Sequence, residues 1–75
     1  MEVTKVLDTT GLACPMPIVK TKKAIADLET GQVLEIHATD KGAKSDLVAW
    51  TTSFGHELIA STEENDRLKF WIKKA

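Results

Sequence analysis

The stretch Gly11-Leu12-Ala13-Cys14-Pro15-Met16-Pro17 constrains the fold of this chain more than any other, because two prolines follow a thiol within three residues. Proline lacks an amide and has a fixed φ, which a central strand does not tolerate but the first turn of a helix does. The residue before a proline is pushed into extended geometry. That is the backbone an N-cap residue needs, so Cys14 is expected to cap a helix beginning at Pro15. Pro17 falls in the same first turn, where amides have no helical acceptor. The amides expected to face the sulfur are therefore those of Met16 and Ile18. A thiol at a helix N-terminus lies at the positive end of the macrodipole, which lowers its pKa and favours the thiolate. Gly11 supplies backbone without a side chain just upstream, so the loop can expose the sulfur. Free cysteine is otherwise among the most buried residue types. The flanking prolines and the strand-to-helix position favour a reactive thiol over a structural one.

Seventy-five residues are expected to form a single domain, residues 1–75, with a modest core. One cysteine cannot build the disulfide framework on which small secreted domains depend. No apolar run approaches the ~20 residues of a membrane span, and no signal-peptide pattern precedes Leu7. The expected location is the cytoplasm. Ten basic residues nearly cancel eleven acidic ones, which argues against a protein held on nucleic acid by bulk charge. Lys20, Lys22 and Lys23 do cluster, either as a solvated helix face or as a contact for an acidic partner surface or tRNA phosphate.

Hydrophobic periodicity gives the elements. Val3 to Leu7 reads as a short strand ending at Asp8, with Thr9, Thr10 and Gly11 as the turn after it. A helix runs from Pro15 to about Leu28, with Ile18, Val19, Ile25 and Leu28 on one side, and Gly31 stops it. Gln32 to Thr39 alternates as a second strand, placing Leu34, Ile36 and Ala38 inward and Val33, Glu35 and His37 outward. Ala43 to Phe54 is a second helix with the stripe Ala43, Leu47, Trp50 and Phe54. His56 to Thr62 and Arg67 to Lys73 are strands joined by a polar turn at Glu63 to Asp66. A strand–helix–strand unit favours a right-handed crossover and parallel strands, whereas the last two strands form a hairpin. The expected class is α+β: a two-layer α/β sandwich, β-α-β-α-β-β, with two helices on one face of a four-stranded mixed sheet. The other face holds Val33, Glu35, His37 and Trp71, open to solvent or to a partner. Trp71 is a candidate contact there, since tryptophan is enriched at interface hot spots.

Other chemistries find little support. One Cys and two His at long separations match no zinc spacing, and no glycine-rich phosphate loop is present. Neither a metal nor a cofactor is expected. His56 is a conceivable base for Cys14, although a thiol at a helix terminus needs none. Asp8 and Asp40 each follow a strand end near the thiol; they either cap local backbone or support the site. Beyond a reactive thiol, the residues alone leave two roles open: a redox or regulatory module working through Cys14, and a protein- or RNA-binding module using the open sheet face.

Asp8-Thr9-Thr10-Gly11-Leu12-Ala13-Cys14-Pro15-Met16-Pro17 resembles the signature of the TusA-like (SirA-type) sulfur carrier family: Asp, a variable residue, commonly Arg, Gly-Leu, a variable residue, then Cys-Pro-x-Pro. The likeness continues through Gly31, the Ala38-Thr39-Asp40 strand end, Asp46 and Gly55-His56-Glu57-Leu58. The resemblance implies the same β-α-β-α-β-β sandwich. It also implies a persulfide carrier rather than a stand-alone turnover enzyme. Cys14 would accept and donate the sulfur, Gly11, Pro15 and Pro17 would organise the site, and Asp8 and Asp40 would support it. Lys20, Lys23 and Trp71 are candidate partner contacts. Implied partners are a cysteine desulfurase, a rhodanese or another sulfur-relay protein, met by transient persulfide or disulfide exchange. Thr10 and Ala13 stand where the family commonly has Arg and a charged residue, a pattern nearer its rhodanese-associated branch.

Overall fold

Leu34, Ile36 and Ala38 have no exposed surface, so strict alternation in the second strand sets which face of the sheet becomes core. In the computed structural model, which describes residues 2–13 and 16–75, the order is β1 (Lys5–Thr9), α1 (Met16–Ala26), β2 (Val33–Ala38), α2 (Ala43–Phe54), β3 (Glu57–Glu64) and β4 (Arg67–Lys73). The strands lie in the order β1-β2-β4-β3. β1 pairs parallel with β2, from Lys5↔Leu34 to Thr9↔Ala38, as the crossover rule requires. β4 pairs antiparallel with both β2 and β3. Phe70 and Ile72 of β4 join Leu34 and Ile36 in the middle of the core, beneath Ala24, Ile25 and Leu28 on one side and Ala43, Leu47 and Trp50 on the other. The expected mixed sheet with its two helices is the observed architecture.

Several boundaries and faces differ from the sequence reading. The helix start expected at Cys14 and Pro15 lies outside the described residues. β1 begins at Lys5 rather than Val3 and runs one residue past the expected end at Asp8, because Thr9 is fully buried and its hydroxyl donates to the His37 carbonyl at 2.6 Å. A residue that reads as a turn former is thereby held in the ladder. On α1, Pro17, Thr21, Ala24 and Ile25 are buried, a helical row that continues to Leu28. Val19 lies off that row and is exposed. Thr21 is tolerated in the row because its hydroxyl donates to the Pro17 carbonyl at 2.7 Å.

α2 spans the expected residues and ends at Gly55, whose φ of 77° forms a left-handed C-cap. Phe54 leaves the expected stripe. It is 60% exposed, while Thr51 takes the buried position, and its ring rests against Trp50 and beneath the Lys22 ammonium. The β3–β4 turn is tighter than expected. Glu63 and Glu64 remain paired with Leu68 and Arg67, leaving Asn65 and Asp66 at φ 52° and 64°. Those are the two positive values of a type I′ hairpin, which Asn and Asp accommodate better than most residues.

The outer face is less open than expected. Val33 is buried, flanked by Thr4, which donates its amide to the Val33 carbonyl and accepts the Val33 amide on its hydroxyl. Glu35, His37 and Trp71 are half-buried because they cover one another. The Trp71 indole donates to Glu35 at 2.8 Å, and His37 Nε2 lies 2.5 Å from the other Glu35 oxygen.

Candidate functional site

The parallel pairing of β1 and β2 brings two connections to one end of the sheet, the β1–α1 loop and the β2–α2 loop. The first of these leads to Cys14. Asp8 accepts both the amide of Thr10, at 2.9 Å, and its hydroxyl, at 2.7 Å. The Thr10 amide, followed by its hydroxyl, holds the Asp8 carboxyl below the usual carboxylate range; His37 and Arg67 add to this and desolvation opposes it. Leu12 donates its amide to the Thr9 carbonyl at 3.2 Å. Gly11 occupies the third position of that turn at φ 81°, the value a type II turn demands of its glycine. The Gly11 amide then crosses to the second loop and donates to the Thr39 hydroxyl at 2.8 Å.

Cys14 and Pro15 lie outside the described residues. On either side of them, the Met16 amide donates to the Ala13 carbonyl at 2.9 Å. Of the two amides expected to face the sulfur, that of Met16 therefore has another acceptor. Pro17 is buried at the base of α1, whereas Gly11, Ala13 and Met16 are exposed around the thiol's place in the chain. Asp40 also serves local backbone. Its carboxylate accepts the Gly42 amide at 3.3 Å and its carbonyl accepts that of Ala43, shaping the approach to α2. Asp8 and Asp40 thus stand at the same end of the sheet, as the sequence implies.

His56 does not. It precedes β3 at the end where Glu57 pairs with Lys73, the far end from Thr9 and Ala38. There it accepts the Ala75 amide at 3.1 Å and packs on Trp50 with ring centroids 5.1 Å apart. His56 therefore lies at the opposite end of the sheet from the β1–α1 loop. The lysine cluster also divides. Lys22 turns to Phe54, while Lys20 and Lys23 line a groove of about 170 Å³ between α1 and β1 together with Lys5, Leu7, Ala24 and Asp27. Among its described lining residues, Asp27 alone is acidic, 3.9 Å from Lys5. Trp71 faces the outer sheet surface as expected, with its N–H committed to Glu35.

Sequence reasoning missed Thr39 and Lys5. A hydroxyl residue just past β2 is adjacent to the β1–α1 loop only once the parallel pairing is known, and Lys5 joins the α1 lysines only once that helix packs on β1. Among the described residues no group of three or more His, Cys, Asp or Glu side chains could hold a metal ion. No described helix is long and apolar enough to cross a membrane.

Comparison with known proteins supplies the remaining observations. The family model described as sulfurtransferase TusA matches residues 5–74. YrkI of Bacillus subtilis is 66% identical over 74 residues, covering 99% of this chain and 99% of that protein. The sulfur carrier protein TusA of Allochromatium vinosum is 44% identical over 69 residues, covering 92% and 91%. The crystal structure of a SirA-like protein from Desulfitobacterium hafniense matches with a TM-score of 0.83 at 25% identity, over 92% of this chain and 95% of that one.

Proposed function

Because this chain belongs to the TusA sulfurtransferase family, we propose that it is a sulfur carrier which holds sulfane sulfur as a persulfide on Cys14 and passes it to a partner protein. The observation that carries this reading is the braced loop: the chain's one thiol follows a segment pinned to Thr39 and precedes a helix seated on buried Pro17. The Cys14 thiolate attacks the outer sulfur of a donor persulfide, the donor's S–S bond breaks, and the donor leaves as its own thiolate. The acceptor's thiolate later attacks the outer sulfur of Cys14–S–SH, and Cys14 departs as thiolate. Each step exchanges one S–S bond for another, so no oxidant or cofactor is consumed. A depressed thiol pKa serves both steps, as nucleophile in the first and leaving group in the second.

The exposed residues around the thiol suit a meeting of two proteins' cysteines. Pro15 and Pro17 organise the helix tip, Gly11 shapes the loop, and Asp8 and Asp40 hold the backbone on either side of it. Lys20 and Lys23, joined by Lys5, supply a basic flank for an acidic partner surface, and Trp71 is a second contact. The donor is a cysteine desulfurase, a rhodanese or another relay protein, and the setting is the cytoplasm.

The test is mass spectrometry of the purified protein after incubation with a cysteine desulfurase and cysteine, or with a rhodanese and thiosulfate. Cys14 should gain the mass of one sulfur atom, removable by dithiothreitol, and Cys14→Ser should gain none. No gain with either donor, while Cys14 alkylates readily, would overturn the proposal. Oxidation of Cys14 by peroxide without sulfur uptake would favour a redox module instead.

A further inference from the structure

We propose that Thr39 is a positioning residue for sulfur transfer, acting through the Gly11 amide to set where the Cys14 loop stands. This inference rests on the carrier reading above. The Asp8–Thr10 bonds and the Thr9–Leu12 turn fix the shape of the loop, since both close within the segment or onto the end of β1. They do not fix its placement over the sheet edge. Of the hydrogen bonds that residues 10–13 make among the described residues, that from Gly11 to Thr39 is the one that crosses to the β2–α2 connection. It joins residues 28 apart in sequence. Gly11 can aim its amide there because it holds a φ of 81°, a region open to glycine at little cost.

Thr39 is itself exposed. Its hydroxyl is therefore not needed to satisfy a buried group, and water replaces it readily when the loop is free to move. Loss of the acceptor should act on the loop and leave the core alone. That separates a positioning role from a structural one. Thr39→Val keeps the branched shape and removes the acceptor, whereas Thr39→Ser keeps the acceptor.

The experiment compares both variants with the parent protein by three measurements: thermal unfolding, Gly11 amide exchange by NMR, and Cys14 reactivity. Reactivity is read as the iodoacetamide alkylation rate across pH and as the rate at which persulfidated protein delivers sulfur to glutathione. Thr39→Val should unfold at nearly the parent temperature and exchange the Gly11 amide faster. Its sulfur delivery and its plateau alkylation rate should change by about three- to tenfold, the range of one ordinary hydrogen bond. Thr39→Ser should return all of these to parent values. Parent-like delivery and alkylation in Thr39→Val, with the parent protein taking up sulfur, would overturn the role of Thr39 and leave the carrier reading standing. A Thr39→Val defect matched by a lowered unfolding temperature and not restored by Thr39→Ser would also overturn it. Failure of the parent protein to take up sulfur sinks the carrier reading, and this inference with it.

Discussion

Gly11→Ala and Gly55→Ala form a matched pair. Both glycines have a positive φ, 81° and 77°, and a Cβ built on either meets no atom within 4 Å. The cost of alanine is therefore backbone strain alone. A left-handed conformation costs an L-residue about 1–2 kcal/mol, offset by about 0.4–1 kcal/mol because alanine narrows the unfolded ensemble, so the net loss is about 1 kcal/mol at each site. For a domain of this size that lowers Tm by roughly 4–8 °C. Urea unfolding followed by tryptophan fluorescence should give nearly equal losses for the two variants. Function should separate them. Gly11 lies in the loop that leads to Cys14, whereas Gly55 caps α2 at the opposite end of the sheet. Gly11→Ala should slow sulfur uptake and Gly55→Ala should not, and Gly11→Asn should recover part of the loss, since asparagine visits the left-handed region more readily. A fully stable Gly11→Ala, or a Gly55→Ala protein equally slow in uptake, would refute the reasoning.

The remaining expectations concern core, charge and surface. Ile36→Val, in a fully buried position, should cost about 1 kcal/mol, and Phe70→Ala about 3–5 kcal/mol, enough to unfold much of so small a domain by circular dichroism. Glu35 is held below its ordinary pKa of 4.5, first by the hydrogen bond with His37 and then by that from Trp71. Its contribution to stability is thus present above that ordinary value and lost as pH falls through the lower folded value. Glu35→Gln should flatten this part of a Tm-against-pH profile between neutral and strongly acid solution. Reversing Lys20 and Lys23 together to Glu should slow sulfur exchange with a protein partner roughly tenfold at low salt. Iodoacetamide alkylation of Cys14 should stay unchanged, and the difference should shrink in high salt.

The fold was legible wherever period and punctuation agreed. α2 and β4 occupy the expected residues because Gly55 stops one and unbroken alternation from Leu68 to Ile72 defines the other. β1 was displaced because Thr9 carries turn propensity, while the bond from its hydroxyl to the His37 carbonyl is a tertiary fact. Phe54 was misplaced for a related reason: helical period fixes its angle but not whether the sheet extends beneath the last turn. The two-residue hairpin needed backbone angles that composition does not show. In the loops at the β1–α1 end of the sheet, the turn roles of Asp8, Gly11 and Asp40 were legible from local chemistry. Thr39 and Lys5 were not, since each gains its meaning from a neighbour distant in sequence.

The strand order carries a consequence for how the molecule comes into being. β4 follows the other elements in sequence yet lies between β2 and β3, which have no direct ladder with each other. During ribosomal synthesis the early βαβ unit can gather, but β3 has nothing to join until β4 emerges. A premature stop at Asn65-Asp66 therefore removes the keystone rather than trimming an edge, exposing Leu34, Ile36 and the underside of both helices at once. Such fragments should be cleared or aggregate instead of persisting as half-competent carriers.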